Sequence, residues 1–353
     1  MIKSLFFCWM ALGSVSALSN EYSSAGSIDR QEIEMKLAYR IEGDLSITSI
    51  VQAIIGNIKY DVSKVDNFIF PKLIGGQYSL DKEFTDFLFF DYYFDTEDGR
   101  LFNSDYAYRL RYRYKSLSDY FLFKSGFNLS YFYPNRCEIQ LKGPYIHRAS
   151  GVMEVTESRF EFTQGSDPFV DIVAPKAPWP EKDFLKYAQQ GRFQNFLMRP
   201  FERLIDDLGD LGELKEILNV ETVRYRNHLR LKNPWGTGPN PDHIFILTID
   251  VSQSIRNNVY SGHKFLEVEV EIDRNVTRAI DLVLAVESDQ LPHGGGYFSE
   301  VRSFADGSQQ ALLSDLNIIQ NVVRKALFST FRRLPLPVDN KFHRFASIIG
   351  NSR

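Results

Sequence analysis

Cysteine is nearly absent from this chain, with Cys8 and Cys137 the only two in 353 residues. Cys8 falls inside a short apolar N-terminal stretch that reads as a cleavable leader, so the expected mature chain keeps one thiol. That excludes an intramolecular disulfide and argues against a structural zinc site. Histidine is also sparse, and the six (His147, His228, His243, His263, His293, His343) form no HExxH or comparable metal spacing. No CxxC, GxSxG elbow or Walker A loop occurs, which sets those chemistries aside. Positive charge is not in excess. A formal net charge of −4 provides no global field for nucleic acid, so any anion site has to be a local concentration of Lys and Arg. No apolar run is long enough to span a bilayer as a helix.

What is present belongs to an ordinary globular protein, with 44% hydrophobic and 24% charged residues. The 29 Phe and 18 Tyr tilt it toward β structure. Lys3, the apolar run from Leu5 to Leu12 and Val15-Ser16-Ala17 have the layout of a signal peptide over residues 1–17, implying a secreted or periplasmic protein. A polar linker (18–27) precedes a domain over 28–333, with a proline-broken, acidic helical insertion at 164–220 and a polar tail at 334–353. Strands are expected at 32–39, 84–94, 106–115, 119–124, 136–142, 152–162, 222–231, 244–251 and 265–272. Helices are expected at 45–58 (introduced by Asp44), 275–286 and 308–333. Two sequons, at Asn128 and Asn275, matter only in a eukaryotic secretory pathway.

The expected strands carry the chemistry. Glu32, Glu34 and Lys36 alternate with Ile33, Met35 and Leu37, so on a strand both carboxylates and the ammonium share one face. Arg109, Arg111, Arg113 and Lys115 share a face opposite Tyr108, Leu110, Tyr112 and Tyr114. Glu138, Gln140 and Lys142 repeat the pattern, as do Arg224, Arg226, His228 and Arg230, and then Glu267, Glu269 and Glu271. Asp250 closes an otherwise apolar run, which is costly without a partner. One such strand is a solvated edge. Several, some acidic and some basic, face each other most economically across a common polar space. Antiparallel strands with apolar outsides and charged insides imply a closed barrel with a polar lumen, covered by helices.

The ordered set resembles the CYTH family of triphosphate tunnel metalloenzymes over roughly residues 28–305. Glu32-Ile33-Glu34-Met35-Lys36 matches the family's ExExK strand, and Tyr92 to Asp98 followed by Tyr108-Arg109-Leu110-Arg111 matches its YFDTPD … LRIR segment. Ile139 to Lys142, Tyr225-Arg226, Ile249-Asp250 and Glu267 to Glu271 resemble the later strands. The resemblance implies an α+β, mainly β fold: a closed eight-stranded antiparallel barrel with flanking helices. It further implies Lys36, Arg109, Arg111, Lys142 and Arg226 on phosphate oxygens, and Glu32, Glu34, Asp250, Glu267 and Glu269 around Mg²⁺ or Mn²⁺. Glu32, Glu34 and Lys36 would be the catalytic strand. The implied reaction is metal-dependent hydrolysis of inorganic triphosphate or a linear triphosphate end. The alternatives are a non-catalytic polyphosphate- or polyanion-binding module and a nucleotidyl cyclase. One departure stands out: Ser299-Glu300 occupies the stretch where the family often has Ser-Lys, with Arg302 the nearest cation.

Overall fold

A computed structural model describes residues 28–41, 46–74, 76–81, 85–114, 136–147, 153–163, 206–209, 211, 214–232, 243–256, 259–273, 276, 295–336 and 341–350. Its strands are β1 (Ile28–Ile41), β2 (Gln77–Leu80), β3 (Thr85–Asp95), β4 (Ala107–Tyr114), β5 (Arg136–His147), β6 (Met153–Thr163), β7 (Lys215–Lys232), β8 (His243–Arg256) and β9 (Val259–Ile272). Its helices are α1 (Ile47–Val62), α2 (Phe70–Ile74), α3 (Arg100–Asn103), α4 (Gly295–Phe331) and α5 (Lys341–Gly350).

All nine strands join one antiparallel sheet in the order β2-β7-β3-β4-β5-β6-β1-β9-β8. The sheet curls, and β7 pairs with β8 over Asn219–Arg230 while pairing with β3 on its other side over Lys215–Arg226. The expectation of an eight-stranded closed cylinder is corrected to this nine-stranded sheet curled into an open half-barrel, in which β2 pairs, among the described strands, with the far end of β7 alone.

Alternation sets the two faces. Met35, Leu37 and Tyr39 leave the concave face and join the main core with Leu247, Ile249, Leu266, Val268 and Val270. Helices α1 and α4 cover that outer face. Val51, Ile54, Ile58 and Val62 of α1 recur at helical spacing and are buried, as are Leu312, Leu316, Ile319 and Val323 of α4. Ser46 caps α1, its hydroxyl accepting from the Ser49 amide at 3.5 Å. Asp315 of α4 ties the layers together, accepting from the amides of Ile69 (2.6 Å) and Phe70 (3.0 Å) and from the Tyr78 hydroxyl (3.0 Å). The expected turn after β3 is present: Asp95 accepts from the amides of Thr96, Leu101 and Phe102, and Gly99 adopts φ 72°.

Three expectations change. The insertion does not run to 220, because β7 starts at Lys215. Helix α4 begins at Gly295, earlier than the expected 308, and so includes the Ser299-Glu300-Val301-Arg302 stretch. The C-terminal tail contains helix α5, whose Lys341, Phe342, His343, Arg344 and Phe345 are all buried. The expected strand at 119–124, the helix at 275–286 (apart from Val276), Asp44 and most of the insertion lie outside the described residues. No helix among the described residues is long and apolar enough to cross a membrane.

Candidate functional site: a charged lumen

The charged faces of β1, β3, β4, β5, β7, β8 and β9 converge on the concave side. Lys36, Arg109, Arg111, Lys142, Arg224, Asp250, Glu267, Glu269 and Lys341 all line one cavity there, with Tyr93, Ala107 and Phe342. Its volume is about 30 Å³, room for a water or two, because the charges lie against one another.

Two buried aspartates organise the cations. Asp91 on β3 sits opposite Arg111 in the β3–β4 register and receives its Nε at 2.6 Å and Nη2 at 2.7 Å. Arg109 reaches the same carboxylate at 3.3 Å and also donates to the Tyr93 hydroxyl at 2.9 Å and to Gln140 at 2.8 Å. Burial alone would raise the Asp91 pKa, but the two guanidiniums hold it well below the ordinary carboxylate range. Asp250 on β8 repeats the arrangement. Arg224 grips it from β7 through Nε and Nη2, both at 2.7 Å, and Lys341 Nζ from α5 lies 2.9 Å away. Its pKa is likewise depressed, burial being outweighed by Arg224 and Lys341. The Arg111 and Arg224 guanidiniums lie over the Phe89 ring, 4.5 and 5.1 Å from its centroid.

The carboxylates of β1 and β9 form the acidic part. Lys36 Nζ lies 3.0 Å from Glu34, 3.7 Å from Glu269 and 4.0 Å from Glu267. One oxygen from each of Glu34, Glu269 and Glu271 lies within 4.8 Å of the others, an all-oxygen set that suits Mg²⁺ or Mn²⁺. Burial would raise the Glu269 pKa, but Lys36, a hydrogen bond with Glu34 and nearby Lys142 together keep it low. Glu267 is instead bound by Arg344 of α5 at 2.9 Å. The fit to a divalent cation is thus good for Glu34, Glu269 and Glu271, whereas both Asp250 oxygens already hold cations.

Most sequence-predicted residues therefore meet. Glu34, Lys36, Arg109, Arg111, Lys142, Asp250, Glu267 and Glu269 share the lumen, with Lys142 4.0 Å from buried Glu157 of β6. Glu32 pairs with Val155 through the β1–β6 backbone, and its side chain lies outside the described residues. Arg226, one register step from Arg224, has no carboxylate within ion-pair distance among the described residues and lies 6.0 Å from the Phe87 centroid. Burial and Arg224 push its pKa down to about 10. Sequence reading missed Asp91, whose signal was a carboxylate inside an aromatic strand, and it missed Lys341 and Arg344. Farther along β7, Asp81 pairs with Arg230, and the His228 and His243 rings stack 4.1 Å apart. With Arg226 and Arg230 beside it, that group disfavours a cation.

No family model matches the chain, and no curated protein matches it. Among solved structures, HpAC1 from Hippeastrum, described as an adenylyl cyclase candidate with a dominant triphosphatase activity, is 17% identical with a TM-score of 0.32, covering 71% of this chain and 84% of its own. An adenylate cyclase candidate from Bacillus halodurans is 15% identical with a TM-score of 0.33, covering 89% and 98%. The Pct1 RNA triphosphatase of S. pombe is 9% identical with a TM-score of 0.27, covering 85% and 91%. Likenesses this distant carry no argument about function.

Proposed function

We propose that this chain is a triphosphate tunnel enzyme of the CYTH type, hydrolysing inorganic triphosphate or a linear triphosphate end with Mg²⁺ or Mn²⁺. The observation that supports it is the convergence of aspartate-oriented cations on one cavity, beside a three-carboxylate cluster that contributes Glu269 to its lining. Such a network is poorly explained by stability. Each close pair gains about 4 kcal/mol at an effective dielectric near 20, and desolvation takes back several kcal/mol per ion. An apolar lumen would hold the fold as well, so the charges fit a binding role.

In this reading Arg109, Arg111 and Arg224 present planar forks to phosphate oxygens, pre-aimed by Asp91 and Asp250. Arg226, two residues farther along the same face of β7, adds another cation. Glu34, Glu269 and Glu271 would hold the divalent ion, with Glu32 from the same strand as β1's other expected ligand. When bound, that ion supplies Lewis-acid polarisation of phosphoryl oxygens. Lys36, now between Glu34 and Glu269, would turn toward phosphate. Water attacks the terminal phosphorus in line and the bridging P–O bond breaks, releasing orthophosphate and leaving the diphosphate remainder, which is pyrophosphate when the substrate is inorganic triphosphate. Export through the leader belongs to the same proposal.

One observation favours a second reading, a non-catalytic polyanion-binding module: Asp250 and Glu267 are already neutralised by cations. Phosphate release from inorganic triphosphate, with Mg²⁺, Mn²⁺ or excess chelator and with ATP in parallel, separates the two. Metal-dependent release supports the hydrolase. Triphosphate binding that persists in chelator without turnover supports the binding module and overturns the enzyme.

A further inference from the structure

The helical layer ends in exposed charge of one sign. From Leu316 to Leu336 the chain carries Arg324, Lys325, Arg332 and Arg333 and no carboxylate, although its net charge is −4. The last turns of α4 have two distinct sides. Val322, Val323, Ala326 and Leu327 are buried in the core, whereas Arg324, Lys325 and Phe328 face solvent. Phe328 is 53% exposed, and Leu334, just past the helix, is 80% exposed. Arg332 follows the helix in the left-handed conformation (φ 55°), its amide donating to the Phe328 carbonyl at 2.8 Å. Glycine is the usual residue in such a cap, and here an exposed arginine holds the position.

Two neighbouring elements extend the patch. The end of α1 lies beside α4, where Lys325 Nζ is 3.3 Å from Asp61. It adds exposed Lys59 and Lys64 and a Tyr60 that is 60% exposed, with the Lys64 ammonium 3.8 Å from the Tyr60 ring centroid. The end of β1 joins through Tyr39, which stacks on Phe331 at 4.8 Å and 15°. There Arg333 donates to the Arg40 carbonyl, and the exposed Arg40 side chain donates to His263 Nδ1 at 3.0 Å. Asp61, the carboxylate inside this group, is taken by Lys325, and exposed Asp66 follows Lys64 by two residues.

Cations near helix C-termini offset the macrodipole, which accounts for Lys59 and Lys325. It does not account for three large apolar side chains held in water among those cations. Single exposed apolar residues are ordinary, but Tyr60, Phe328 and Leu334 are gathered at one end of two adjacent helices. A nucleic acid would match the charge and leave Leu334 without an apolar partner. An anionic bilayer offers both in one plane, phosphates for the cations and the acyl boundary for the apolar groups. No helix among the described residues is long and apolar enough to cross a membrane, so the contact is peripheral.

We infer that the shared end of α1 and α4 is a docking surface for an anionic lipid bilayer. Arg324, Arg332 and Lys64 meet headgroup phosphates, and Phe328 and Leu334 reach the acyl boundary. The surface belongs to the helical layer on the outer face of the sheet, so docking leaves the charged lumen unaltered. It is independent of the triphosphate reading.

The test is co-sedimentation of the full chain with vesicles of phosphatidylcholine containing about 30% phosphatidylglycerol, and with pure phosphatidylcholine vesicles. Binding should require the anionic lipid and weaken as salt rises. Combining Arg324→Glu with Arg332→Glu should weaken it about twentyfold or more, at about fivefold for each cation lost. Phe328→Ser should weaken it about fivefold. Lys215→Glu, at an exposed lysine of β7 paired with Glu97, should match the parent. The apolar run within residues 1–17 would hold the chain on both vesicle types alike, so equal binding to the two overturns the inference. No binding to the anionic vesicles, or anionic binding that the double reversal leaves intact, overturns it as well. A second copy of this chain is the competing occupant. Self-association in sedimentation velocity that Phe328→Ser abolishes, without vesicle binding, assigns the face to that copy and overturns the inference. Should the double reversal fail to fold, Arg332→Gly replaces it, since glycine suits the left-handed backbone there. It should lower anionic-vesicle binding about fivefold, and unchanged binding overturns the inference.

Discussion

At the scale of single residues, carboxylates in this lumen do two different jobs. Glu34 and Glu269 stand in the cluster suited to a cation, so Glu34→Gln and Glu269→Gln should each lower metal-dependent phosphate release by about a hundredfold or more. Because the amide keeps the volume and Lys36 keeps its other carboxylate, the thermal midpoint should fall less than in Asp91→Asn. Asp91 aims two arginines, and its loss would leave both buried without their partner. Asp91→Asn should destabilise the chain by about 3–5 kcal/mol in urea unfolding, with activity falling as well. His228 makes a pH prediction. Burial, His243 and Arg226 push its pKa down from 6.5 to about 4, with Asp81 pulling the other way and Arg230 adding to the depression. The unfolded chain then binds the proton more readily between those values. This contribution to stability is full above about pH 6.5 and is lost as pH falls toward 4. His228→Gln should flatten that part of a melting-temperature profile, and an unchanged slope would exclude His228 as its source.

At the scale of elements, strand faces were legible and short helices were not. The period-two alternation of β1, β4 and β9 places charge and apolar residues on opposite faces whatever the partner strand, which is why those segments read correctly. Helix α5 is ten residues long, too short to be stable alone, and exists because Phe342 and Phe345 dock against Tyr93 and Phe265. Its sequence, with lysine, histidine and arginine among phenylalanines, looks like a polar tail until that dock is known. The start of β7 is a similar case: Lys215-Glu216-Ile217-Leu218 suits a helix, and pairing with Tyr93 to Asp95 overrides it. Asp315 gives an element-scale prediction. One carboxylate serves the start of α2 and the Tyr78 hydroxyl of β2 from α4, so Asp315→Asn should cost about 1.5–3 kcal/mol without altering triphosphate binding.

At the scale of the molecule, among the described strands the eight long ones each pair with two neighbours, and β2 pairs with one. Native-state hydrogen exchange should therefore be slowest in β1, β8 and β9, which are also covered by the α1–α4 layer, and fastest among the strands in β2. Slow exchange in β2 equal to that in β9 would contradict this division.

The sequence by itself determined that charge and apolar side chains separate onto two faces of many strands, since that follows from backbone geometry within each segment. Grouping the charged faces around one lumen then follows from burying the apolar ones. Only the tertiary structure decided who pairs with whom. That Asp250 holds Arg224 and Lys341 instead of standing free for a metal, and that Glu271 joins Glu34 and Glu269, depends on register between strands and on where α5 docks. Those contacts join residues distant in the chain, and alternation within one segment carries no information about them.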